Sequence, residues 1–345
     1  MDLNSVWFVL LGAMFIAYAV LDGIDLGVGI ILPAFKSDAE RRAVLGAIGP
    51  LWDGNEIWLL AAFSALAEAF PRVFDGVFGG LHALLLALFV ALIFRGAARG
   101  LRKFCTHSAW RKACDGVFCA ASVLVAFLLG FLAGNCVTGM PVDADGNVAA
   151  GTLGLLDLVE PIPLFSGVLA VAIFAFYGAL FLRLRTTELA RFRVEFLMPK
   201  LFAFVTIFYI VLTLFVIFTN APLPAGTANF SEFEALGLVP AAAILSLVAT
   251  GVFLRCRTVK LPIAATGATI ALLVLTVGVG MFPALVPATN GEEFSLTVRD
   301  AAPAGTLRRL LVVAAVGAPL IAVCQWLVHR AFAEKSAREA NSAAE

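Results

Sequence analysis

About nine apolar runs divide this chain, each near the roughly 20 residues that a helix needs to cross a bilayer. They lie near Val6–Leu32, Gly49–Phe70, Phe78–Arg95, Gly116–Gly134, Leu164–Leu182, Phe196–Phe218, Phe233–Leu254, Ile263–Phe282 and Leu310–Val328. Backbone groups surrounded by lipid must be satisfied within their own segment, so each run is expected as an α-helix. Composition agrees: 61% of residues are hydrophobic and 14% charged, against about 45–50% and about 25% in soluble domains. The expectation is an all-α integral membrane protein. Residues 1–332 form a single polytopic domain with short loops, and 333–345 a short polar tail. A formal net charge of zero gives no argument for a nucleic-acid partner.

Positive charge predicts the orientation. Basic residues cluster after the first, third, fifth and seventh runs and in the tail; only Arg72, Arg299, Arg308 and Arg309 fall on the other side. The loops between carry acids instead, among them Asp143, Asp145, Asp157, Glu160, Glu292 and Glu293. Nine helices therefore alternate, with the N-terminus outside and the C-terminus and tail cytoplasmic. No Lys or Arg precedes Lys36, so the first helix lacks the basic flank of a signal peptide and is expected to be retained.

The second span constrains chemistry. Its charge-free stretch, Ile57–Ala67, is too short to cross. To reach about 20 residues the helix must run back through Glu56, Asn55, Asp53 and Trp52. Asp53 and Glu56 are i,i+3 and share a helix face, as do Asp22 and Asp25 on the first span. A carboxylate inside a membrane costs roughly 2.5–3.5 kcal/mol on insertion scales, so it marks a functional site by default. Both pairs fall near the same cytoplasmic end. Neighbouring carboxylates in a low-dielectric site favour proton binding, and such a group can take a proton and pass it on. The reading is a path by which protons enter from the cytoplasm. The competing reading is that the acids pair with loop arginines such as Arg41 or Arg95 and stabilise helix ends.

Other features are read structurally. Gly23-x-x-x-Gly27 is a small-residue seam that permits close helix contact and could bring the second helix near the aspartates. Arg95, closing the third run, is expected to snorkel to the headgroups, and His82 to be a hydrogen-bonded core residue. Pro283 and Pro287 end the eighth span, and 288–305 is expected as an external loop or as a cover for a partner subunit. The six cysteines show no C-x-x-C and no metal-ligand spacing, and the three histidines are scattered. No nucleotide-binding or haem-attachment motif occurs. Any redox cofactor must be ligated mainly by another chain.

Several segments resemble one family. Leu21-Asp22-Gly23-Ile24-Asp25-Leu26-Gly27-Val28-Gly29 is similar to the DGFDMGVG signature of subunit II of cytochrome bd-type quinol oxidases. Glu40-Arg41-Arg42 followed by Trp52-Asp53-Gly54-Asn55-Glu56-Ile57-Trp58 resembles that family's ERR and WDGN-(Q/E)-VW motifs. Phe94-Arg95, Gly134-Asn135, Gly139-Met140-Pro141, Met281-Phe282-Pro283 and Ser295-Leu296-Thr297 with Asp300 resemble later landmarks in the same order.

The resemblance implies a bacterial inner-membrane terminal oxidase that oxidises quinol and reduces dioxygen to water, electrogenic by vectorial chemistry. It implies two b-type haems, a d-type haem and the quinol site in a partner, subunit I, and a further small single-helix subunit. For this chain it implies nine helices in two four-helix bundles plus a peripheral one, no haem ligation, and contact with lipid or a structural quinone. It implies a proton route through Asp53 foremost, with Trp52, Asn55 and Glu56, then Asp25 and Asp22. Leu51 stands where some members have His, and Glu56 where some have Gln; the 141–160 and 219–234 loops are short. A proton-coupled secondary transporter is the alternative, and a purely structural membrane anchor a third. Transporters of that kind often carry repeats with paired broken helices, and the C-terminal half holds no second Trp-Asp-Gly-Asn pattern.

Overall fold

A computed structural model describes residues 2–49, 52–148, 158–186, 188–218, 227, 229–230, 234–255 and 260–342. Its long helices are α1 (Leu3–Ile31), α3 (Trp52–Ala69), α5 (His82–Arg102), α6 (Ser108–Thr138), α7 (Pro161–Arg185), α8 (Glu188–Phe218), α9 (Leu238–Phe253), α10 (Lys260–Met281) and α11 (Ala304–Ser342). Two short helices, α2 (Asp38–Ile48) and α4 (Pro71–Gly80), join them, and strands β1 (Ala284–Val286) and β2 (Leu296–Thr297) pair antiparallel. Among the described residues eight helices are long and apolar enough to cross a membrane, or nine if α3 and α4 count as one broken span.

That break has a local cause. Proline disfavours the helical conformation in the residue before it, and Phe70 sits at φ −134°, ψ 64°. Pro71 then opens α4, where a missing N–H costs nothing, and the chain turns by 117°. The Ala69 carbonyl near the break accepts from the Ala302 amide at 2.8 Å. The segment 288–305 therefore folds back on its own chain. Its Thr297–Asp300 capping box, the Arg72–Asp300 ion pair (3.1 Å) and the Asn4 side chain donating to the Val298 carbonyl (2.9 Å) fix it there.

Sequence expectation and structure differ at several helix ends. The run Phe78–Arg95 divides between α4 and α5, and α5 continues two turns beyond Arg95. Helix α6 begins at Ser108 rather than Gly116, because polar turns emerging from an apolar zone remain helical. The two strands were not anticipated; they are too short to show a period.

Helix α1 is central and packs against α3, α6, α7 and α10. Its glycines make this possible. A Cβ on Gly27 would lie 1.8 Å from the Phe174 carbonyl oxygen of α7, and one on Gly178 of α7 would lie 2.4 Å from the Gly27 carbonyl carbon. The backbones of α1 and α7 are thus in direct contact. The Gly23/Gly27 seam faces α7 and not α3, contrary to expectation; Gly23 itself abuts Phe174 and Tyr177. One apolar core (Leu26, Val28, Phe35, Phe118, Phe176, Leu180) lies toward the end bearing the basic loops. A second (Trp7, Leu66, Phe70, Met140, Leu285, Leu307) lies toward the hairpin end.

At the basic end α2 is clamped by the Glu40-Arg41-Arg42 triplet. Glu40 completes a capping box with Ser37 and accepts from Arg193 of α8 at 2.7 Å. Arg41 donates to the Phe35 carbonyl at 2.8 Å and pairs with Asp115 of α6 at 3.3 Å. Arg42 pairs with Asp38 at the surface. The triplet ties the connection after α1 to two other helices.

Candidate functional site

The charged residues of α1, α3 and α5 converge about 14 Å before α1 ends, taking 1.5 Å per residue from Asp22 to Ile31. Asp22 and Arg95 are both 0% exposed and form a two-pronged ion pair, Nη1–Oδ2 and Nη2–Oδ1 each 2.8 Å. The planar guanidinium matches a carboxylate in this geometry, which makes such pairs the strong ones. Arg95 Nη1 also donates to Glu56 Oε1 of α3 at 3.1 Å. One cation therefore joins acids from two helices while being anchored on a third.

Asp25 lies one turn further along α1 and is 4% exposed. Its Oδ2 accepts from the Asn55 amide at 2.7 Å, and the same amide reaches the Leu21 carbonyl at 3.3 Å. Glu56 is 24% exposed. The acids thus run inward from a half-buried group on α3 to enclosed groups on α1. Tyr18, one turn before Asp22, is buried beside it.

Arg95, Arg99 and Arg102 stand at i, i+4 and i+7 on α5, so they form a row along one face. Arg99 donates to the Leu45 carbonyl (3.1 Å) and to the Gly49 carbonyl. Arg102 pairs with Asp115 and, at 2.8 Å, with Asp38. The row leads from the enclosed cluster to the basic end over about 10 Å. In sequence these arginines fall among the basic residues after the third run, and their helical spacing is the signal that marks them as a row. Arg95 is not a headgroup anchor, because the helix continues past it and buries it against Asp22. His82 is exposed at the start of α5, its Nδ1 3.0 Å from the Gly79 carbonyl, and not a core residue.

Of the six residues singled out in sequence, Asp22, Asp25, Asn55 and Glu56 meet in this cluster. Trp52 and Asp53 open α3, but their side chains lie outside the described residues. The expectation that acids pair with arginines holds for Asp22 and Glu56 through Arg95, whereas Arg41 pairs with Asp115. Farther along α3, Trp58 Nε1 donates to Gln325 of α11 at 3.3 Å, and Gln325 donates to the Gly54 carbonyl at 2.8 Å. These bonds hold α11 beside the start of α3.

Among the described residues no group of three or more His, Cys, Asp or Glu side chains is placed to hold a metal ion. His82 and His107 flank opposite ends of α5, about 30 Å apart by helix rise, so they cannot hold one iron together. The side chain of His329 lies outside the described residues.

Fold and cluster together define a polytopic membrane protein that holds an ion-paired acid network inside its helices. Residues 3–332 match the family described as cytochrome bd terminal oxidase subunit II, and the chain belongs to that family. It is 28% identical to cytochrome bd-I ubiquinol oxidase subunit 2 of Escherichia coli (strain K12), over 94% of this chain and 93% of that one. It is also 28% identical to cytochrome bd ubiquinol oxidase subunit 2 of Bacillus subtilis (strain 168), over 91% of each. The fold resembles that of a chain in the structure of bd oxidase from Geobacillus thermodenitrificans, with a TM-score of 0.79 at 17% identity, covering 96% of this chain and 99% of that one. With its candidate spans, the family makes this a multi-pass protein of the bacterial inner membrane.

Proposed function

We propose that this chain is the subunit of a bd-type quinol:oxygen oxidoreductase that ligates no haem, and that it supplies a proton route from the cytoplasm. The haems, two of b type and one of d type, and the quinol site belong to the partner, subunit I. The chain supports that subunit with two four-helix bundles, α1/α3/α5/α6 and α7–α10, and with α11 at the side. Its N-terminus is periplasmic and its tail cytoplasmic, because the basic loops gather at the end where α1 finishes. A small extra subunit and a structural quinone or lipid remain part of the reading.

The observation that carries the proton route is the graded burial of Glu56, Asp25 and Asp22 at that basic end. Asp53 and Glu56 on the first turns of α3 take protons from water. Asn55 bridges α3 to Asp25. Asp22, with both oxygens held by one guanidinium, serves as counter-ion and not as carrier. Arg95 is a positioning residue that fixes the spacing of Asp22 and Glu56. Asp25, whose named partner is a neutral amide, is the acid suited to exchange. The transporter alternative has less support: one bent helix pair occurs among the described residues, without the second that an inverted repeat would supply.

Replacement tests this in the assembled complex. Asp53→Asn and Asp25→Asn each slow quinol-driven oxygen consumption while the optical bands of the haems persist. Normal respiration by both variants at all pH values defeats the route. A purified native complex that is colourless and contains no larger partner defeats the oxidase assignment itself.

A further inference from the structure

Two thiols touch where α5 hands over to α6. Cys105 lies just beyond the last residue of α5, and Cys114 is in the second turn of α6. Their sulfurs are 3.8 Å apart. The Cys105 S–H points at the Leu101 carbonyl, 3.3 Å away. Either thiol can donate to the other. Both residues are partly exposed, so a small solute can reach them. Among the described residues this is the one thiol–thiol contact.

The surroundings hold the contact in place. Asp115, next to Cys114, is ion-paired to Arg102 in the last turn of α5. Arg111 donates to the carbonyls of Cys105 (3.4 Å) and Thr106 (3.0 Å). The turn is thus closed by polar contacts before any sulfur chemistry. The carboxylate of Asp115 is engaged by Arg102 and Arg41. The proposed proton route does not depend on these two sulfurs.

We propose that Cys105 and Cys114 form a dithiol that a hydroperoxide oxidises to an intramolecular disulfide, stapling α5 to α6. One thiolate attacks a peroxide oxygen; the O–O bond breaks, the sulfur becomes a sulfenic acid, and the departing alkoxide or hydroxide takes a proton. The second thiol then attacks that sulfur. The S–S bond forms, the S–O bond breaks, and hydroxide leaves as water with the thiol's proton. Two thiols and one hydroperoxide yield a disulfide, a water and an alcohol, or a second water when the oxidant is hydrogen peroxide. The bacterial cytoplasm keeps thiols reduced, so the dithiol is the resting form on that side of the membrane. The staple fixes the outer end of the arginine row, where Arg102 meets Asp115.

The test treats the purified complex with hydrogen peroxide, alkylates remaining thiols and digests with trypsin. Cleavage at Lys103, Arg111 and Lys112 puts the two cysteines on separate peptides, residues 104–111 and one beginning at Ala113. Mass spectrometry is expected to find these peptides joined through Cys105 and Cys114, with both alkylated forms lost together and restored by dithiothreitol. In Cys114→Ser the link disappears and Cys105 proceeds to sulfinic acid. Full alkylation of both cysteines at a peroxide dose that oxidises the exposed Cys324 overturns the proposal. So does a link formed between separate copies of the chain, or Cys105 carried to sulfinic acid in the native protein while Cys114 remains free.

Discussion

Single residues decide whether the cluster is a stable structure or a set of stranded charges. Arg95, itself fully buried, compensates Asp22 and the partly exposed Glu56 at once. Removing one partner of a buried pair costs about 3–5 kcal/mol, because the other charge is left uncompensated. Arg95→Met is therefore expected to lower the melting temperature of the complex, and adding Asp22→Asn to recover much of the loss. A single variant that melts like the native complex contradicts the pairing.

Glu40 gives a second prediction at this scale. Hydrogen bonds from Ser37, assisted by Arg193, hold its carboxyl down to about 2 from an ordinary value near 4.5. A depressed folded-state value means that the stabilisation is complete above pH about 4.5 and is lost as pH falls toward about 2. Glu40→Gln is expected to destabilise near neutrality by about 1 kcal/mol, with the difference from native protein shrinking through that window. Denaturation at a series of pH values reads it directly.

The acids themselves were legible in sequence, since a carboxylate within an apolar run is conspicuous. Their partner was not. Arg95 follows Phe94 where the hydrophobic run stops, so hydropathy alone made it a helix end. Its pairing with Asp22, 73 positions earlier, leaves no local mark.

Among elements, the contact of α1 with α7 brings two helix backbones together with no side chain between them. Ordinary side chains hold helices 8–10 Å apart, and Gly27 and Gly178 remove that spacer. Gly27→Ala pushes a methyl group into the Phe174 carbonyl, whereas Gly12→Ala meets nothing within 4 Å. The first is expected to cost about 1–3 kcal/mol and to reduce the yield of assembled complex; the second is expected to be silent. Equal yields from both would show that the helices do not meet at Gly27. Apolar length predicted most spans because it measures the bilayer. It missed the turn at Phe70–Pro71, where one helix stops and another starts with little change in hydropathy. It also set the start of α6 too late, at Gly116, because Ser108–Asp115 is polar yet helical.

For the whole molecule, the asymmetry of charge is the strongest statement. The nine crossings proposed would put the two termini on opposite sides. A fluorescent protein fused after residue 345 is expected to mature in the cytoplasm, and alkaline phosphatase fused at residue 145 to be active outside. Reversal of either result rejects the orientation. The Ala304–Leu327 stretch of α11 is apolar, yet none of its best window is buried within the chain. Gln325 ties one side of it to α3, leaving Val312, Val316 and Leu320 turned outward.

The guanidinium shared by Asp22 and Glu56 bears on how tight such a membrane can be. An arginine keeps its charge at every physiological pH, and a fixed cation within a narrow passage repels hydronium and metal cations, as in pores that exclude them. If the proposed proton route runs here, a hydrogen ion would cross this neighbourhood bound to a carboxylate, one site at a time. Back-leak driven by the potential across the bilayer would then be limited by the occupancy of those sites, and not by the width of any water thread beside them.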